Sequence, residues 1–391
     1  MALQGKSLRP EDLDGPLALL TGTRPGIIKF SPIFRELERR GTPYLMIHSG
    51  QHYSPEMDGV FFDALQLRAP DHRLDVVRHR FLHGEQTAEM LAGIERILID
   101  HRPQLLLVGG DCNTHLAGAL AARKLHVPIG HVEAGMRSYD WRMPEEHNRV
   151  IIDHISELLF VHDERAREVL SGERVRGQVH VVGSTIADAV AENVQLARRR
   201  RSLLAELGVE PRAYLLATVH REENVDDAGT LRALVSALQA VGRALSLAVL
   251  LPAHPRTRTR LAAEGLGQED LDPVRLLDPL GYLEFLMALD ASAAVITDSG
   301  GVQQEACILR MPCVTVRPST EWQETLQVGA NRLVEPVAES MVHGVAEAVA
   351  TPRTWDSPFP DGASKRIVDV AEGALAEGAV ARSAEVFASS S

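Results

Sequence analysis

The chain has 391 residues, 45% of them apolar and 24% charged, a balance that suits a soluble globular protein of two ordinary domains. Its formal net charge of −12 excludes a general nucleic-acid binder, which shows a basic surface, and the one basic run, Arg198–Arg201, reads as a solvated helix end. Three cysteines (Cys112, Cys307, Cys313) lack metal-ligand spacing. With no secretory leader and no membrane-spanning apolar run, a reducing cytoplasm and no membrane partner are expected.

After a polar arm, Leu17–Leu20 reads as a buried strand that breaks at Thr21-Gly22-Thr23-Arg24-Pro25-Gly26, and a helical pattern follows to Arg40. Tyr44–His48 is the next strand and ends at Ser49-Gly50-Gln51-His52. Helical patterns cover Pro55–Leu67 and Gly84–Asp100. The stretch from Leu105 to Arg149 then runs from an apolar strand into Gly109-Gly110-Asp111. A second strand, Pro128–Val132, leads into Glu133, and a loop through Ser138–Met143 ends at Pro144-Glu145-Glu146. Leu158–Val161 and Val179–Val182 complete the first half.

The pattern restarts with Tyr214–Ala217, Leu247–Leu251, Val274–Leu277, Ala293–Ile296 and Cys313–Val316, each followed by a helical segment. Strands alternating with amphipathic helices predict α/β architecture: two doubly wound, Rossmann-like parallel sheets facing across a cleft, with ligands beyond the strands' carboxyl ends. The expected division is 1–183, 184–362 and a helical tail, 363–391, packing back on the first domain.

Several chemistries are absent as motifs. There is no G-x-G-x-x-G after the first strand, no P-loop, no H-E-x-x-H, no paired C-x-x-C and no G-x-S-x-G. The 16 histidines form no ligand-like cluster, so neither a metal nor a cofactor is expected.

What remains clusters at predicted strand ends. Ser299, Gly300 and Gly301 follow a strand and open a helix, a setting that lets backbone N–H groups approach a phosphate, though a serine cap with tight glycine packing reads equally well. Glu305, one turn in, could accept from ribose hydroxyls. Arg24 could reach a diphosphate with its planar fork or sit solvated at a helix start. His220, in His220-Arg221-Glu222-Glu223-Asn224, could donate to a leaving phosphate or belong to a helix cap. Arg317 adds a cation after Cys313–Val316. Four such loops on one predicted edge favour an anionic ligand. Asp111, Glu133 and Glu145 supply carboxylates for acid/base work. Asp111 could instead cap a helix, and Glu145 could pair with Arg149 at i,i+4. Glu133 has the weakest structural explanation, because an unpaired buried carboxylate is costly.

Together, Gly22-Thr23-Arg24-Pro25, Ser49-Gly50-Gln51-His52, Gly110-Asp111, His131-Val132-Glu133-Ala134-Gly135, Pro144-Glu145-Glu146, Asn148-Arg149, His220–Asn224 and Asp298-Ser299-Gly300-Gly301 resemble the UDP-N-acetylglucosamine 2-epimerase family, from Thr21 to about Val334. The resemblance implies the glycosyltransferase type B fold, a UDP-sugar substrate, a homodimer, and a non-hydrolysing reaction without cofactor. In that reaction UDP leaves C1 as the C2 proton is removed, and UDP then adds back to the 2-acetamidoglucal. It implies Asp111, Glu133 and Glu145 as acid/base groups, with His220 and Arg24 at the diphosphate. It further implies Ser299–Gly301 on phosphate, Glu305 on ribose, Phe285 by the uracil, Arg149 and Arg317 near the nucleotide sugar, and Gln51 and His52 at an allosteric position. Gly26, Gln304 and Trp322-Gln323 depart from the family pattern, and bear on which sugar is accepted. The alternatives are a hydrolysing epimerase, an epimerase of a modified UDP-sugar such as a 2,3-diacetamido sugar, a glycosyltransferase, and a non-catalytic nucleotide-sugar-binding regulator.

Overall fold

Short strands of aliphatic residues, buried on both faces, alternate with helices that carry one apolar stripe, which is the pattern that builds parallel sheets covered on both sides. The computed structural model describes residues 8–50, 61–74, 82–253 and 255–376. By internal contacts the chain divides into two units. One runs to Ala189 and resumes at Pro360; the other is Val190–Phe359.

The first unit holds β1 (Leu17–Thr21), α1 (Arg24–Arg40), β2 (Tyr44–His48), β3 (His72–Arg73), α2 (His83–His101), β4 (Leu106–Gly109), α3 (Asn113–Lys124), β5 (Ile129–Val132), α4 (Pro144–Ile155), β6 (Leu158–Val161), α5 (Glu164–Gly172) and β7 (Gln178–Val181). All pair in parallel, in the order β3-β2-β1-β4-β5-β6-β7. The chain therefore winds outward from β1 in one direction and from β4 in the other. The crevice beyond β1 and β4 is the switch point where such sheets bind ligands. Its core packs Leu20, Ile47, Leu106, Val108 and Ile129 of the sheet against Met90, Ile94 and Ala117 of the covering helices.

Helix α6 (Thr185–Arg198) carries the chain out of the first unit, and α7 (Ser202–Glu206) follows in the second. That unit has β8 (Tyr214–Thr218), α8 (Glu222–Val225), α9 (Ala228–Leu245), β9 (Ala248–Pro252), α10 (Pro255–Ala263), β10 (Val274–Leu277), α11 (Tyr282–Ala291), β11 (Ala294–Thr297), α12 (Gly300–Ile308), β12 (Cys313–Val316), α13 (Gln323–Gln327), β13 (Asn331–Val334) and α14 (Ala338–Ala350). Its parallel order, β10-β9-β8-β11-β12-β13, repeats the same winding with a switch between β8 and β11.

The last described helix, α15 (Ala363–Ala376), returns to the first unit. Its start is fixed by Asp188 on α6, whose carboxylate accepts from the N–H groups of Gly362 (2.6 Å) and Ser364 (2.7 Å) and from the Ser364 hydroxyl (2.6 Å). It lies against α1, where Arg40 reaches both Asp369 and Glu372 at 2.7 Å. Among the described residues, no helix is long and apolar enough to cross a membrane.

Candidate active site

The first unit's switch point is built from the loops after β1, β4 and β5 and from one face of α4. Thr23 caps α1 by accepting from Gly26 N–H at 3.2 Å, and Pro25 occupies the first turn, where no N–H is needed. One turn further in, the Lys29 ammonium contacts the Glu133 carboxylate in a close ion pair. Burial opposes the charge on Lys29, but Glu133 and Asp111 beside it outweigh that and hold its pKa above the ordinary lysine value.

Glu133 stands in the left-handed region at φ 72°, a conformation that costs a non-glycine residue about 1–3 kcal/mol and persists only when its surroundings impose it. Here they do. The N–H groups of Glu133 and Ala134 both donate to the Phe160 carbonyl, at 3.0 and 3.1 Å. Gly135 follows at φ 77°, where an added Cβ would meet the Ala166 carbonyl at 2.6 Å. Gly110, at φ 87°, leaves room for the ion pair, because a Cβ there would lie 3.2 Å from Glu133 Oε2 and 3.3 Å from Lys29 Nζ.

Asp111 does not cap a helix. Cys112 takes the cap position of α3, and the Asp111 carboxylate instead accepts from Arg149 at 2.6 and 3.0 Å. Burial raises the Asp111 pKa, but Arg149 and Lys29 prevail, so it lies below the usual aspartate value. Its carbonyl accepts from Asn148 Nδ2 at 2.7 Å. Arg149 pairs along its own helix with Glu146 (2.8 Å) rather than with Glu145. Glu146 is buried and also accepts from Ser138 N–H, Ser138 Oγ and Tyr139 N–H, each at 2.9 Å, so it ties the 138–143 loop to the cationic side of the site. Glu145 is exposed on the first turn of α4. Two groups that motif reading did not single out, Lys29 and Glu146, thus belong to this cluster. The signal that could have found them is helical spacing: Lys29 follows Pro25 by four residues, and Glu146 precedes Arg149 by three.

The second unit offers a complementary set at its own switch point. Asp298, fully buried after β11, accepts from His220 N–H (3.0 Å), Arg221 N–H (3.0 Å) and Asn224 Nδ2 (3.0 Å), and its Oδ1 lies 3.0 Å from His220 Nδ1. Burial works against its charge, yet the His220 contact and these donors keep its pKa below the ordinary range. The Nδ1 contact with Asp298 fixes the orientation of the His220 imidazole.

Helix α12 opens at Gly300, with Ser299 in the cap position but without a side-chain cap bond. A Cβ at Gly300 would come 2.5 Å from Glu321 Oε1 and 3.0 Å from Trp322 Nε1, whereas at Gly301 it would meet nothing within 4 Å. Backbone N–H groups at a helix start can hold an anion. Glu305 is buried one turn in, and its carboxyl is pushed up to about 7 by burial, with a Tyr282 hydrogen bond opposing. Arg317 holds Glu321 at 2.8 Å, and Phe285 is half-buried on α11. Arg24 is half-buried at the start of α1. Gln51 and His52 lie outside the described residues.

A family profile described as UDP-N-acetylglucosamine 2-epimerase matches residues 35–372. A UDP-N-acetylglucosamine 2-epimerase of Methanococcus maripaludis is 42% identical over 90% of this chain and 96% of its own. The UDP-2,3-diacetamido-2,3-dideoxy-D-glucuronate 2-epimerase of Pseudomonas aeruginosa is 39% identical over 90% of this chain and 97% of its own. The crystal structure of the Methanocaldococcus jannaschii UDP-GlcNAc 2-epimerase, in complex with UDP-GlcNAc and UDP, superposes with a TM-score of 0.84 at 42% identity, covering 91% of this chain and 99% of that one.

Proposed function

The chain belongs to the UDP-N-acetylglucosamine 2-epimerase family, and from that premise we propose that it inverts C2 of a UDP-N-acetylhexosamine, interconverting UDP-GlcNAc and UDP-ManNAc. The observation that carries this reading is the pairing of each carboxylate at the first switch point with a cation: Glu133 with Lys29, and Asp111 with Arg149. The proton on C2 of such a sugar is not acidic. Its removal is coupled to departure of UDP from C1, which gives a 2-acetamidoglucal. UDP then adds back to C1, and a proton is delivered to the other face of C2. Acid and base are both needed, so several carboxylates of differing environment suit the task.

Asp111 and Glu133 are assigned to proton transfer together with Glu145, which starts the same helix that carries Arg149. The second unit is assigned the nucleotide. The N–H groups from Ser299 to Gly301 hold phosphate, and Glu305 accepts from the ribose hydroxyls. Phe285 lies by the uracil. His220 Nε2, with Arg24 and Arg317, stabilises the charge that develops on the leaving diphosphate. Asp298 supports this role by fixing the imidazole through its other nitrogen.

A second reading concerns the sugar alone. The Pseudomonas aeruginosa relative, 39% identical, acts on a UDP-2,3-diacetamido uronate, so a 2,3-diacetamido sugar is the alternative substrate. The test is product analysis by NMR with each UDP-sugar in turn. UDP-ManNAc from UDP-GlcNAc supports the first reading, and turnover of only the diacetamido sugar supports the second. Release of free ManNAc with UDP identifies hydrolysis, and recovery of unchanged UDP-sugars in every case overturns epimerisation.

A further inference from the structure

Beneath the first unit's carboxylates runs a buried chain of polar groups that the proton chemistry does not use. His131, on β5 two residues before Glu133, is fully buried. Its Nε2 lies 3.0 Å from the Gly110 carbonyl and its Nδ1 lies 2.7 Å from Asp153 Oδ1. A carbonyl oxygen only accepts. The other oxygen of Asp153 already accepts from Gly135 N–H at 3.2 Å and from Arg137 at 2.8 Å, so Asp153 has every reason to be an ionised carboxylate. The ring thus bridges the Gly110 carbonyl and the Asp153 carboxylate, two groups that lie on different elements. Arg137 continues the chain to Glu173 at 2.6 Å. Around the ring stand Asp153 and Arg137, the neutral His115 imidazole on α3, and the Lys29–Glu133 pair that flanks Gly110.

The positions tied by this chain matter. Gly110 precedes Asp111, and its left-handed backbone turns its carbonyl towards His131. Gly135 follows Glu133 by two residues and is held by Asp153. Asp153 belongs to α4, the helix that also supplies Asn148 and Arg149 to Asp111. One imidazole and one carboxylate thus connect the peptide before Asp111, the turn carrying Glu133, and α4.

We propose that His131 and Asp153 act as a positioning pair for the epimerisation, setting the separation of Asp111 and Glu133 without touching substrate. This rests on the function proposed above. A shift of about 1 Å in a reacting group costs on the order of 10²-fold in turnover, so loosening either strand end is expected to appear in kcat and not in nucleotide affinity.

The test measures C2 hydrogen exchange from UDP-GlcNAc in deuterated water for wild type, His131→Gln, Asp153→Asn and the double variant, with UDP binding by calorimetry as the check on the second unit. Each single variant is expected to lose about 10²-fold in kcat with KM and UDP affinity retained. The double variant is expected to lose no more than the worse single, because the two groups act as one. Asp153→Asn keeps the shape of the residue and carries the test if His131→Gln does not fold. Wild-type kcat in either folded variant, losses that multiply in the double, or a rise confined to KM would overturn the proposal. Absence of exchange in the wild type itself would instead overturn the proposed function.

Discussion

Glu133 shows at the scale of one side chain how the site is made. A strained left-handed backbone, two N–H groups on one carbonyl, and a half-buried lysine together present a carboxylate where a sheet ends. Glu133→Gln keeps the shape but removes a carboxylate proposed for proton transfer, and Glu145→Gln does the same on α4. Each is expected to lower turnover by at least 10²-fold while UDP affinity is kept. Collapse of UDP binding with surviving turnover at saturation would contradict their acid/base role.

Glu305 makes a pH-dependent prediction. Burial raises its pKa from 4.5 to about 7, so the folded protein holds that proton more tightly than the unfolded chain does. Its contribution to stability is full below pH 4.5 and is lost as pH rises through 7. Glu305→Gln should therefore gain thermal stability relative to wild type at pH 8 compared with pH 5. In the proposed ribose contact, the ionised carboxylate accepts from hydroxyls with both oxygens, whereas the protonated form gives up one of them as a donor. UDP affinity should accordingly rise between pH 6 and 8 in wild type by more than it does in Glu305→Gln, measured by calorimetry.

At the scale of elements, α4 concentrates the site's support. Glu146, Arg149 and Asp153 repeat at i, i+3 and i+7, which places them on one face, and Asn148 beside them reaches Asp111. The sequence marks this helix plainly, with Pro144 at its start and two acidic residues in its first turn. It does not say which glutamate turns inward, since 145 and 146 lie at i−4 and i−3 from Arg149 and either spacing can pair. Packing against the 138–139 backbone decides for Glu146. Likewise β3, only two residues long, and β13, which begins Asn331-Arg332, carry too little apolar pattern to be read as strands, and both are edges of their sheets. The tail helix gives an element-scale prediction. Arg40 binds Asp369 and Glu372 while its own helix holds it through Glu36. Because those partners are partly exposed, Arg40→Ala should cost only about 1–2 kcal/mol in denaturant unfolding. A loss of 4 kcal/mol or more would show that the contact is worth more than partly solvated ion pairs allow.

On the scale of the whole molecule, two parallel sheets wind the same way, and most candidate residues stand beyond the carboxyl ends of strands: after β1, β4 and β5 in one unit, after β8, β11 and β12 in the other. That much is legible in sequence, because apolar runs that end in Gly, Asp and Thr mark where parallel strands stop. The supporting contacts are less legible. Lys29 with Glu133, Asp298 with His220, and His131 with Asp153 join residues 22 to 104 positions apart, and only folding brings them together. Of the departures from the family pattern, Trp322 stands beside the start of α12, where a Cβ at Gly300 would come 3.0 Å from its indole nitrogen.

The central claim is that the C2 proton is removed and returned by this protein. It is tested most directly by incubating the protein with UDP-GlcNAc in deuterated water and examining the recovered UDP-sugars by NMR and mass spectrometry. Deuterium is expected at C2 of both UDP-GlcNAc and UDP-ManNAc, with exchange lost in Glu133→Gln. UDP-sugars that bind, shown by calorimetry, but keep protium at C2 would contradict it.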